Sequence, residues 1–214
     1  DKESFTVTAV ANYAVEYKDT PVKVGEEAQS NPSKTVESNA LPDSTRYSQV
    51  ENGKVLHDGL WAISDPNETK GQVTAKVDEK DLKQRFIDAR TQSIGSGECK
   101  AGQTAITDEQ VKEIVEALKA QFSASNKVNA FFTEGGEPQE NIAVKFRLVD
   151  KNGQPLSESD DWDGDGIKND AEIKNCSNPF DGQDNKLTPL TPADELPVWD
   201  DSTTTPKAPV TVPK

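Results

Sequence analysis

Apolar and polar residues alternate with a period of two along the N-terminal part of the chain, the spacing that puts every second side chain on one face of a β-strand. Residues 5–10 (FTVTAV) interleave apolar and hydroxyl side chains, and residues 13–17 (YAVEY) and 22–24 (VKV) continue the pattern with Pro21 between them. Residues 25–45 are dense in Gly, Ser, Asn, Asp and Pro, which favours loops and sheet edges. Further short strands are predicted at 45–50, 59–63 and 72–77, separated by Asn52-Gly53 and Asp65-Pro66-Asn67. Short strands at this spacing are what an all-β sandwich produces.

The period changes after Asp78, a candidate N-cap. Leu82, Phe86 and Arg90 share one helical face, and Val77 is placed to pack on Leu82 as a hydrophobic staple. A second helix is marked by a capping box at Thr107 and Gln110, a staple of Ile106 with Val111, and the stripe Val111, Ile114, Val115, Leu118 and Phe122. The stripe is a core-facing surface. Strand character returns at 128–133 and at 141–149 (NIAVKFRLV), which runs into the hairpin-type turn Asp150-Lys151-Asn152-Gly153. The fold class expected is therefore mainly β with an α insertion: an immunoglobulin-like β-sandwich plus two helices, a loop after the last strand, and an extended tail. The division expected is a body over 1–156 with the insertion at about 78–140, a loop segment at 157–187, and a Pro/Thr-rich linker at 188–214 with too few apolar groups to fold. Trp199 is a candidate to dock on the body.

Charge narrows the partners. The 38 acidic and 24 basic side chains give a net charge of −14. Such a surface repels phosphate backbones and anionic membranes, so neither nucleic acid nor direct membrane insertion is expected. No apolar run spans a bilayer, and a first residue of Asp1 with no signal-like segment suggests a processed or excised chain. Only 32% of residues are apolar, which predicts a modest core with long solvated segments. The two cysteines, Cys99 and Cys176, cannot form a zinc cluster with His57 as the only histidine. A disulfide in an exported protein is the preferred reading over two buried thiols, and closing that loop is worth about 4 kcal/mol on the chain-entropy model.

The strongest chemical signal is DWDGDGIKNDAE, which starts at Asp161. It places Asp161, Asp163 and Asp165 at positions 1, 3 and 5 of a calcium loop, Gly166 at 6, Ile167 at 7, Asn169 at 9 and Glu172 at 12. Ca²⁺ is a hard cation that takes six to eight oxygens, and alternate residues of a tight loop aim theirs inward. The expected shell is the three Asp carboxylates, the Ile167 carbonyl, Asn169 directly or through water, and a bidentate Glu172. Mg²⁺ fits less well because it demands near-octahedral geometry and keeps waters. Four carboxylates around an empty centre repel one another, so the cation is expected to be structural. The flanks lack the long helices of an EF-hand, since residues 157–160 are turn-like and 175–179 (NCSNP) end any helix early.

Residues 160–185 (DDWDGDGIKNDAEIKNCSNPFDGQDN) resemble a bacterial thrombospondin type 3 repeat, an acidic calcium loop followed by a short turn and an Asn-Pro step. The resemblance implies one calcium site, with Asp181 and Asp184 as weaker candidates for a second. TPVKVGEEAQSNP, LPDSTRYS, GLWAISDPNETKGQVTAKV and NIAVKFRLVDKNGQPL are similar, in that order, to the Rib and long Rib domains of Gram-positive surface proteins, over about residues 13–155. That resemblance implies the immunoglobulin-like sandwich, and the helical insertion departs from it.

The function expected is a calcium-stabilised, extracellular stalk or adhesin module at the cell surface or cell wall of a Gram-positive bacterium, with neighbouring domains of the same protein as partners. The alternative is a ligand-binding module whose helical region contacts a host protein or glycan, with Phe131-Phe132 either exposed for contact or packed in the core. A carboxylate-based glycoside hydrolase is a remote third reading, because acidic pairs are plentiful and their separation is not a sequence property. His57 in VLHDGL has no nucleophile signature beside it, and no enzyme is expected. Lys-to-Asn isopeptide bonds cannot be read without contacts. Asn67-Glu68-Thr69 and Asn175-Cys176-Ser177 fit the glycosylation acceptor pattern by accident in a bacterial protein.

Overall fold

The computed structural model describes residues 2–6, 11–95 and 105–183, with the backbone of 196–199 and 206–210. Among the described residues the fold is mainly β with three helices. β1 (Val15–Tyr17), β2 (Thr20–Lys23), β3 (Ala28–Ser30), β4 (Pro32–Lys34), β5 (Arg46–Gln49), β6 (Trp61–Ile63) and β7 (Val73–Val77) precede α1 (Glu79–Ile94) and α2 (Asp108–Lys119). β8 (Ser123–Phe131), β9 (Gln139–Val149) and the short α3 (Asn169–Lys174) follow, then β10 (Leu196–Trp199) and β11 (Pro206–Val210).

A four-stranded sheet runs β2-β9-β8-β5, parallel between β2 and β9 and antiparallel elsewhere, and a three-stranded antiparallel sheet runs β3-β7-β6. β1 pairs with β4. The alternation read from sequence explains which faces meet. Val73, Ala75 and Val77 of β7, with Trp61 and Ile63 of β6, share one apolar core with Val128 of β8 and with Val144, Phe146 and Leu148 of β9. Residues 2–6 are not in a strand, with Phe5 exposed, and the rest of the expected first strand lies outside the described residues.

The helical segment ends sooner than the 78–140 span expected, because β8 starts at Ser123 and lies between β9 and β5 inside the larger sheet. Its leading half, Ser123 to Lys127, carries few bulky apolar residues, so its strand character comes from pairing rather than composition. α1 follows Asp78, whose side chain makes no cap bond, and it buries Leu82, Phe86 and Arg90 as its periodicity implies. α2 has the full capping box: the Thr107 hydroxyl accepts from the Gln110 N–H at 3.2 Å, and the Gln110 Oε1 accepts from the Thr107 N–H at 2.9 Å. Replacing Thr107 with Ala should cost about 1 kcal/mol, read by chemical denaturation.

Gly71 marks the tightest approach in the β body. It has φ +71, and a Cβ there would lie 2.7 Å from Pro32 Cγ and 2.8 Å from Tyr47 Cζ. Its carbonyl also accepts the Tyr17 hydroxyl at 2.6 Å. Gly71→Ala combines left-handed strain with overpacking and should destabilise by about 2–4 kcal/mol in urea unfolding.

Within the extended, Pro/Thr-rich tail the structure adds one strand pair. β10 and β11 pair antiparallel, with Leu196 opposite Val210 and Trp199 opposite Pro206. A two-stranded ribbon leaves each strand one unpaired edge, where prolines without N–H groups are tolerated.

Candidate metal centre

The loop between β9 and α3 is built by Asp side chains that fold back on the chain just ahead of them. Asp161 Oδ1 accepts from the Gly164 N–H and Oδ2 from the Gly166 N–H, each at 2.9 Å. Asp163 Oδ1 accepts from the Asp165 N–H at 3.2 Å, and Asp165 Oδ1 from the Ile167 N–H at 2.7 Å. Gly164 and Gly166 take φ +70 and +93, conformations that a glycine enters without Cβ strain. The alternation of acceptors and left-handed glycines winds the carboxylates to one side.

Asp161, Asp163 and Asp165 each present an oxygen within 4.8 Å of the others, the one such group among the described residues. Two ligands about 2.4 Å from a common ion can be at most about 4.8 Å apart, so this cluster could hold a metal ion. Asp163 Oδ2 and Asp165 Oδ2 are buried and accept no hydrogen bond among the described residues. Burial, and then the neighbouring Asp165 charge, push the Asp163 carboxyl up to about 8. A bound cation removes both penalties, because it supplies the positive charge that the buried oxygens lack.

The remaining predicted ligands take other places. Ile167 donates its N–H within the loop. Asn169 is buried, its Oδ1 accepting from the Trp162 N–H at 2.8 Å and its Nδ2 donating to the Ser159 carbonyl at 3.4 Å. Its carboxamide thus closes the neck of the loop. Glu172 is wholly buried on α3 and is not part of the three-carboxylate group. Asp181 is buried, takes the Gln183 N–H at 3.0 Å, and adds to the burial that raises the Glu79 carboxyl, which places it toward α1. Asp184 lies outside the described residues.

What sequence reading missed is how the loop is seated. Trp162 points into the core, its ring stacked on Phe180 at 5.1 Å and edge-on to Phe122 at 5.0 Å, and its Nε1 donates to the Leu156 carbonyl at 3.0 Å. Arg90 of α1 is buried, lies 5.8 Å over the Phe86 ring, and donates from Nη1 to the Ile173 carbonyl at 3.3 Å. Burial lowers the Arg90 guanidinium to about 10. Lys174 of α3 pairs with Asp108 in the first turn of α2. Lys151, in the turn after β9, donates to the Gly164 carbonyl at 2.5 Å, and a Cβ at Gly182 would lie 3.6 Å from Asp163 and from Asp165. The chain matches no protein-family model and no curated protein. Cys176 is disulfide-bonded and no described cysteine is free, while Cys99 lies outside the described residues.

The Phe pair divides: Phe132 is 3% exposed with its ring 5.2 Å from Tyr13, whereas Phe131 is 53% exposed. His57 is 2.6 Å through Nε2 from the Ser123 carbonyl, and since a carbonyl only accepts, that nitrogen carries the proton. No helix among the described residues is long and apolar enough to cross a membrane.

Proposed function

We propose that the chain is a calcium-stabilised, extracellular module of a Gram-positive surface protein, serving as a stalk or adhesin segment. The observation that carries this reading is a three-carboxylate loop with buried, unpartnered oxygens, fixed by Trp162 into the same core as the β-sheets. Calcium rather than magnesium suits the loop, because its ligand spacing follows the twelve-residue calcium register, whereas magnesium demands near-octahedral geometry and keeps waters. In this reading the Asp161, Asp163 and Asp165 carboxylates bind the ion, the register adds the Ile167 carbonyl and Glu172, and Asn169 braces the loop neck rather than binding.

Two sheets sharing one core support an immunoglobulin-like sandwich, and with it the Rib-like resemblance. The Cys176 disulfide supports an oxidising, extracellular setting. A cation at the exit of β9 stiffens the junction between the β body and whatever follows, which suits neighbouring domains as partners. In single-molecule pulling, the unfolding force should be higher in Ca²⁺ than in EDTA, and the difference should vanish in Asp163→Ala. Equal forces in the two buffers would refute the stalk reading. A second reading, contact of the helical region with a host protein or glycan, is favoured by a cavity beside α1 and α2 lined mostly by polar residues.

A further inference from the structure

A cavity of about 360 Å³ opens between α1, α2 and the turn before β6, on residues the calcium loop does not use. It is lined by Ala89 and Ala117 together with the polar side chains of His57, Asp58, Arg85, Asp88, Gln92 and Gln121. We propose that this cavity binds a neutral sugar unit, and so gives the second functional reading a specific site and ligand class.

The turn is the first reason. His57, Asp58 and Gly59 are left-handed in succession, with φ of 51, 55 and 85. Consecutive left-handed residues other than glycine are costly and persist only where surrounding contacts impose them. Here they are imposed by His57 donating to the Ser123 carbonyl at 2.6 Å and by Arg85 Nη2 donating to the Asp58 carbonyl at 2.9 Å. The outcome is an exposed Asp58 residue held on the lining of the cavity.

Charge is the second. Arg85 lies among Asp58 and Asp88, and its 3.8 Å separation from Asp88 is an ion pair too long to be a hydrogen bond, which leaves donors on Nη1. Gln121 donates from Nε2 to the Ala117 carbonyl at 3.2 Å, leaving its carbonyl oxygen as an acceptor. Carboxylates interleaved with a guanidinium offer any fully charged ligand a like charge as well as an opposite one. A polyhydroxylated neutral ring uses acceptors and donors together and lays its C–H face on the alanine methyls. The volume falls in the range of small-molecule sites, about 300–1,000 Å³.

The test is an NMR titration of the intact chain with methyl glycosides of glucose, galactose, mannose and N-acetylglucosamine, with an oligolysine peptide as comparator. Amide shifts confined to Ala89, Gln92, Ala117 and the 57–59 turn are expected with at least one glycoside, at a Kd on the order of 1 mM. Asp58→Asn and Gln92→Ala should each weaken binding about tenfold or more with the unfolding temperature unchanged, since both side chains are exposed. The proposal is overturned if no glycoside moves these amides, if only the peptide does, or if both variants bind as the parent does. None of these outcomes depends on calcium, so the loop and this cavity can fail separately.

Discussion

Trp162→Ala should lower the unfolding free energy by about 3–5 kcal/mol in denaturant titration, the range for removing a buried aromatic side chain. The ring is 4% exposed, stacks on Phe180, meets Phe122 edge-on and donates to Leu156, so its removal leaves a cavity and takes one of the two donors from the Leu156 carbonyl. The loop also depends on it, because the buried ring anchors the residue whose backbone N–H holds Asn169 across the neck. The variant should therefore bind calcium more weakly although no ligand is changed. A Trp162→Phe control should recover most of the stability and much of the affinity. If Trp162→Ala is as stable as the parent, the loop is a surface appendage and the core seating described above is wrong.

Calcium itself should give the second large effect. A cation at one hundred times its Kd stabilises the native state by about 2.7 kcal/mol, roughly 5–11 °C in the melting temperature of a chain this size. Asp163→Asn should lose that increment. In EDTA the same variant should be no less stable than the parent, because it removes one of two carboxylates that burial and proximity set against each other. Opposite signs in the two buffers separate a ligand role from a packing role, and a thermal scan of both proteins in both buffers reads them.

Local patterns carried the sequence reading furthest. The α2 capping box and the face of Leu82, Phe86 and Arg90 are set by residues within one or two turns of one another, and both are found in the structure. The carboxylate triad was legible for the same reason, since Asp161, Asp163 and Asp165 bring themselves together through bonds to the next few N–H groups. Long-range partners were not legible. Nothing local says that Arg90 will meet the Ile173 carbonyl, or that Trp162 will find Phe122 and Phe180. Asn169 shows the limit most clearly: its place in the register names it a ligand, while its contacts make it a brace for Trp162. The pairing of β10 with β11 was hidden by proline content, which obscures strand periodicity without preventing an edge ladder.

Seating the acidic loop in the core gives a physical route from cation to scaffold. α3 begins within the twelve-residue register and carries Ile173 into the core, Lys174 to Asp108 and, just beyond, the disulfide at Cys176. Ordering the loop therefore fixes the segment that braces both inserted helices.

Calorimetric titration of the metal-free chain with Ca²⁺ and with Mg²⁺, on the parent and on Asp163→Ala, tests the central claim most directly. One calcium per chain, bound more tightly than magnesium and lost in the variant, is the predicted result. No calcium binding, or binding that Asp163→Ala leaves intact, would contradict the account.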